Sequence, residues 1–277
     1  MLKGWPQHLR ALGAIFRKDL QVFMSYPVNA VMRILEPLMW MTPVYFMARS
    51  FAVDGVNIGL RAYTGTTDYV AFFVLGAAIS SYVSAVFWGM GFALKNEMDT
   101  GVLESNWLTP APLLVQMLGR SLFSLFLTTV NMLMIGCCVW LLFGFEFTGR
   151  VLPALLTVAP LLVALYGFGL GLAGVVLITN NANNIIDLVS NNITILSGAH
   201  FPVTVLPRPL LAISLALPLT YAYDAVRGQL LGTTTLMPIA MAQAILVAFM
   251  FVTVTAGLIV FGRIQDRCRQ MGTLAHH

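Results

Sequence analysis

The sequence predicts an all-α polytopic membrane protein. Six transmembrane helices follow an N-terminal amphipathic interfacial helix, and a re-entrant extracellular helical element lies between the fifth and sixth spans. Three observations predict this. Of 277 residues, 58% are hydrophobic and only 9% charged, and the mean hydropathy is +0.84, more than the core of a water-soluble domain of this length needs. The apolar residues come in blocks of about 20 or more, the length a helix needs to cross a hydrocarbon core about 30 Å thick. Such blocks are helices and not barrel strands, because a helix satisfies its own backbone polar groups in lipid.

Taken in order, residues 1–27 form a connecting helix. Leu9, Leu12, Ile15, Phe16, Leu20 and Phe23 recur at helical spacing, with Arg10, Arg17, Lys18 and Asp19 on the other side, so the helix lies in the membrane interface. The stretch from Met1 to Tyr26 is mixed and basic, without the short apolar core and small-residue cleavage site of an excised leader, and reads as mature protein. The membrane domain covers 28–261, with spans at about 28–50, 69–94, 113–143, 151–179, 185–199 and 236–261. The fifth is too short for an ordinary span and runs into an apolar stretch, Phe201 to Tyr223, broken by Pro202, Pro207, Pro209 and Pro218. Proline fixes φ and removes an amide donor, so region 199–228 should be short helices and turns that enter the outer leaflet and return. A tail, 262–277, completes the chain.

Lys and Arg near the span ends set the orientation. Lys3, Arg10, Arg17, Lys18, Lys95, Arg120, Arg263, Arg267 and Arg269 collect on one side; Arg49, Arg61, Arg150, Arg208 and Arg227 collect on the other. Both termini are therefore expected in the cytoplasm. So is the stretch 95–112, whose residues from Asn96 read NEMDTGVLESNWLTPAP. Leu103, Trp107 and Leu108 would give a short helix there an apolar face, and Glu97, Asp99 and Glu104 would meet basic residues of a partner. A solvated loop is the alternative.

The sequence contains no GxxxxGK phosphate loop and no HExxH or GxSxG signature, so the chain is not expected to be an enzyme, and energy for any driven work must enter from another chain. Cys137 and Cys138 adjoin inside a span and Cys268 is in the tail; His8 and His200 are isolated. No metal-ligand spacing or disulfide framework results.

The order Glu97, Gly101, Leu103, Glu104, Leu108, Thr109 and Pro110 resembles the E-x-x-x-G-x-L-E-x-x-x-x-T-P signature of ABC-2 family permeases, the membrane subunits of ABC exporters. A second stretch, Ser197 to Gly228, is similar to that family's segment after the fifth span: Ser197, Gly198, Phe201 and Pro202 stand for S-G-x-x-F-P. Pro218, Leu219, Thr220, Tyr221, Ala222, Ala225 and Arg227 then stand for P-L-T-Y-A-x-x-A-x-R. The two motifs occur in the family's order, and the resemblance covers nearly the whole chain. The first turn of the loop departs from the family's mixture of bases and acids, with only Lys95 before Glu97; Trp107 would serve there as an aromatic anchor. The resemblance implies a coupling helix at Glu97–Pro110 that docks on an ATP-binding cassette subunit, which carries the ATP and Mg; no cofactor is expected on this chain. It further implies a second permease copy, as homodimer or related heterodimer, in the inner (plasma) membrane of a prokaryote, with membrane lipid and no nucleic acid as surroundings.

The residues indicate which faces could line a transport path. Asn180, Asn184, Asp187, Asn191, Thr194 and Gly198 recur every three or four residues on one stripe of the fifth span, and polar groups in a membrane helix face a cavity or a partner. Hydrogen bonding that merely holds the dimer is the other reading. On the second span Gly76, Ser80 and Ser84 continue towards Phe87, Trp88 and Gly91, a stripe that suits close helix packing, with the substrate path or dimer interface as the other reading; Gly167, Gly171 and Gly174 form a small-residue face on the fourth, which suits packing. Arg33 and Glu36 stand one turn apart before Pro37 and read as an intrahelical ion pair, with a gate that breaks and remakes the pair as the alternative. The mechanism anticipated is alternating access with outward movement of an amphipathic or lipid-like substrate such as a drug, lipid or glycolipid. An ion-coupled secondary transporter using Asp187 is the alternative.

Overall fold

The computed structural model describes residues 5–50, 57–99, 112–143, 151–177 and 182–271. Helix α1 (Trp5–Ser25) ends at Tyr26, and Pro27 opens α2 (Pro27–Ser50), where a proline's missing N–H would have had no helical partner anyway. A short α3 (Ile58–Thr64) is closed by Gly65 in the left-handed region, φ 76°. Then come α4 (Tyr69–Asp99), α5 (Leu113–Phe143), α6 (Val151–Leu177), α7 (Ala182–Leu196), α8 (Arg208–Ala216), α9 (Pro218–Leu231) and α10 (Ile239–Met271). Among the described residues there is no strand.

Four of these helices are long and apolar enough to cross a membrane, with candidate spans Tyr69–Gly91, Leu113–Cys137, Val151–Val176 and Ile239–Arg267. A fifth is added if the bent pair α8 and α9 counts as one span. The stretch expected to be the first span is the continuous helix α2, but Arg33, Glu36 and Arg49 and two internal prolines leave it short of the apolar composition of the other four. The Arg33–Glu36 pairing itself lies outside the described side chains. The fifth expected span is α7, whose 15 residues reach only about 22 Å.

Helix α4 is the hub, packing against α5, α6, α7 and α9, while α6 lies along α10. Val83, Val86, Phe87 and Met90 of α4 meet Leu161, Leu165, Ala173 and Val176 of α6 and Ile186 of α7 in one continuous core. The α6–α10 crossing is a backbone contact: a Cβ on Gly257 would sit 2.0 Å from the Gly167 carbonyl oxygen. Only glycine allows two helix backbones so close. Gly174 also faces α10, at Ile264, whereas Gly171 faces open space.

Helix α1 docks on α5 by its apolar side. Phe16 makes edge-on contacts with Phe123 and Phe126 at 5.5 and 5.4 Å, Phe23 reaches Phe123, and Ile15 packs over Gly119. Arg10, Arg17 and Lys18 remain exposed on the opposite side.

Candidate functional site

The site begins with α7, whose two sides differ in chemistry. Ile186 and Ser190 are buried, with Val189 half-buried, towards the core. Asn183, Asn184, Asp187, Asn191 and Asn192 are exposed. Of these, Asn192 turns its amide back to donate to the Leu188 carbonyl at 2.7 Å. Asn184, Asp187 and Asn191 thus form a polar face that no other helix covers among the described residues. Thr194, on the same predicted stripe, is buried, and Asn180 lies outside the described residues.

The predicted stripe on α4 goes elsewhere. Ser80 Oγ shares a 2.9 Å hydrogen bond with Tyr223 Oη on α9, and Ser84 Oγ one of 3.3 Å with Ser190 Oγ on α7. Phe87 is fully buried and stacks on Phe168 with ring centroids 5.4 Å apart. Gly76 admits the end of α7: a Cβ there would lie 1.8 Å from the Ala199 carbonyl oxygen and 2.3 Å from Arg227 Nη2. These four residues bind the helices of one chain together, leaving the exposed polar surface to α7.

Around Gly76 stands the feature that sequence reasoning left without a role. Arg227, 4% exposed, donates from Nε to the Phe72 carbonyl at 3.2 Å, from Nη1 to the Gly198 carbonyl at 2.7 Å, and from Nη2 to the Ala199 carbonyl. Its guanidinium lies over the Phe72 ring, 3.5 Å from the centroid. Helix α7 closes its own end, with the Ser197, Gly198 and Ala199 N–H groups donating to the Ile193, Ile195 and Thr194 carbonyls, so the Gly198 and Ala199 carbonyls that Arg227 takes belong to the turn after the helix. Arg227 therefore pins the turn after α7 from another helix while holding it to α4 at Phe72. The sequence signal for this was an arginine inside an apolar, Pro-broken stretch, where a charge needs partners.

The remaining motif residues shape the bend. Gly198 takes φ 82°, a conformation open to glycine without strain, and turns the chain through half-buried Phe201 and Pro202 into the 3-10 turn Val203–Val205. Helices α8 and α9 then meet at 86°. Buried Pro218 opens α9; Thr220 Oγ1 donates to the Ser214 carbonyl at 2.6 Å, and Tyr221 Oη to the Leu215 carbonyl at 2.6 Å. Farther along α9, the Gln229 amide donates to Thr157 Oγ1 on α6 at 3.1 Å, and Gln243 of α10 donates to the same oxygen at 2.9 Å. This polar knot ties the bent pair to the two longest-paired helices.

Of the predicted docking residues, Gly101, Leu103, Glu104, Trp107, Leu108, Thr109 and Pro110 lie outside the described residues, and Glu97 is described only as backbone of α4. Helices α4 and α5, which flank the loop, pack closely enough that a Cβ on Gly89 would lie 3.2 Å from Ser121 Oγ. Among the described residues no cluster of His, Cys, Asp and Glu could hold a metal ion.

No curated protein matches the chain. The family model for the ABC-2 type transporter matches residues 10–231, a range that runs from the docked α1 through the turn after α7 to the end of the bent pair. The chain belongs to the ABC-2 type transporter family.

Proposed function

We propose that this chain is the membrane-spanning permease subunit of an ATP-binding cassette exporter, working as a dimer and moving an amphipathic or lipid-like substrate outward. The observation that carries the reading is the uncovered polar face of α7. Asn184, Asp187 and Asn191 are exposed on a helix set among apolar spans. Polar side chains on a helix packed among membrane spans are costly against lipid and belong at a water-filled path or a partner. In a two-copy assembly the face would line the path between the copies, with few charges and several amides, suited to an amphiphile better than to a polyanion.

In this reading α2 and the α7–α9 segment complete a six-span unit, the bent pair is the re-entrant element of the outer leaflet, and both termini lie in the cytoplasm of a prokaryotic cell. A separate ATP-binding subunit docks on 95–112. Its closure moves that loop, and α4 and α5, packed together and joined by it, carry the motion to α7 through the Ser84–Ser190 and Arg227 contacts. A partner shifts a two-state equilibrium only by binding the states unequally, so the loop must sit differently in the inward-open and outward-open forms.

The test is affinity purification from native membranes in mild detergent with an ATPase assay. An ATP-binding subunit should co-purify in equal amount and be released by Glu104→Arg combined with Leu108→Asp. A chain that purifies alone, with no ATPase activity, would remove this mechanism and direct attention to Asp187 as an ion-coupling residue.

A further inference from the structure

Two cavities adjoin at the end of the bundle where α4 begins and α7 ends. The first, about 170 Å³, is polar: its walls include Ser197, Tyr223, Asp224, Arg227 and Thr233. The second, about 480 Å³, is walled by Met47, Leu60, Tyr69 and Val205, and is mainly apolar. Tyr63 and Pro202 line both. A polar chamber sharing a wall with a larger apolar one is the shape of an amphiphile site.

The polar chamber holds uncommitted groups of both signs. A guanidinium has five N–H donors; Arg227 places three of them on carbonyls and has no carboxylate within ion-pair distance among the described residues. Two donors remain. Ser197 Oγ, on a residue 1% exposed, is buried with no hydrogen-bond partner, and such a group normally has one. Asp224 accepts from the Leu236 backbone N–H through Oδ2 at 2.7 Å, which leaves Oδ1 free among the described residues. Asp224 and Arg227 stand three residues apart on α9, where side chains lie about 5–6 Å apart at Cβ on one face. That spacing suits a ligand carrying an anion and a cation a few bonds apart.

We propose that the two cavities form one site for a phospholipid with a zwitterionic, phosphoethanolamine-type headgroup. The phosphate takes the free Arg227 donors and the Ser197 hydroxyl, and the ammonium donates to Asp224 Oδ1. The acyl chain leaves past Tyr63 and Pro202 along Leu60 and Val205. A phosphate offers the acceptors that a guanidinium fork and a hydroxyl require. A primary ammonium supplies the N–H that a carboxylate accepts, which a quaternary one lacks. The site stands apart from the polar face of α7 and from the direction of transport.

The test measures binding of dioleoyl phosphatidylethanolamine to the full chain in detergent micelles by native mass spectrometry, with dioleoyl phosphatidylglycerol and water-soluble glycerophosphoethanolamine as comparisons. The ethanolamine lipid should bind at least about tenfold more tightly than the glycerol lipid, the scale of one charged contact. Asp224→Asn, which keeps an acceptor for Leu236, should abolish that preference without weakening the glycerol lipid. Equal binding of the two lipids by the unaltered chain, or an undiminished preference in Asp224→Asn, would overturn the proposal. If glycerophosphoethanolamine competes as well as the whole lipid, the apolar cavity takes no part and the ligand is a soluble zwitterion, which overturns the lipid assignment. Should Asp224→Asn fail to fold, the comparison on the unaltered chain decides alone.

Discussion

A buried guanidinium is tolerated where carbonyls converge, and Arg227 finds three of them from two other segments. Hydrogen bonds to a charged group contribute about 1.5–3 kcal/mol each, and leaving their partners unsatisfied costs more. Arg227→Met should therefore destabilise the chain by about 3 kcal/mol or more, read as a lowered midpoint of thermal unfolding in detergent. Gly76→Ala tests the same contact from the other side, because its Cβ would meet the Ala199 carbonyl and the guanidinium. A cost of about 1–3 kcal/mol is expected for such overpacking. Gly171→Ala, where nothing lies within 4 Å, should be neutral or gain up to about 1 kcal/mol from helix propensity. The sequence put both Gly76 and Gly171 in small-residue stripes suited to packing, yet only Gly76 has a neighbour against it. What distinguishes them is the neighbour, which local spacing does not encode.

Among the elements, legibility followed the strength of the local signal. The long apolar helices α4, α5, α6 and α10 were readable because their composition leaves no other structure in lipid. The apolar face of α1 was readable from the spacing of Ile15, Phe16 and Phe23, but its seat on α5 depends on Phe123 and Phe126, more than a hundred residues away. Each such ring pair is worth about 0.5–1.5 kcal/mol, so Phe16→Ala should cost about 2 kcal/mol and expose α1 to limited proteolysis. The prolines announced a break between 201 and 223, though not its 86° angle. That angle is held by Thr220, whose hydroxyl bonds the Ser214 carbonyl inside the corner. Thr220→Val keeps the shape and removes the bond, and should cost about 1–2 kcal/mol. The charges of α2 cut the other way: the helix was foreseen, while its composition sets it apart from the other spans.

For the whole molecule, the question is what lies against α7. The sequence placed Asn184, Asp187, Asn191 and Thr194 on one stripe, and the fold divides them, burying Thr194 and exposing the other three. It also turns the α4 stripe inward, so that Gly76, Ser80, Ser84 and Phe87 join helices of one chain. That division depends on how α7 rotates about its axis, which Arg227 and the Ser84–Ser190 contact fix from outside the helix. If the exposed face lines the path between two copies, it meets its own counterpart across a two-fold axis, because a dimer of this kind is self-complementary. The most direct measurement is oxidative cross-linking in native membranes, with Cys137, Cys138 and Cys268 replaced by serine and one cysteine introduced at a time. Asn191→Cys should give a covalent dimer, while Leu133→Cys, on an apolar residue of α5 that is 71% exposed and suited to lipid, should stay monomeric. A monomeric Asn191→Cys beside a cross-linked Leu133→Cys would contradict the account, placing the polar face of α7 away from the partner copy and the dimer contact on α5.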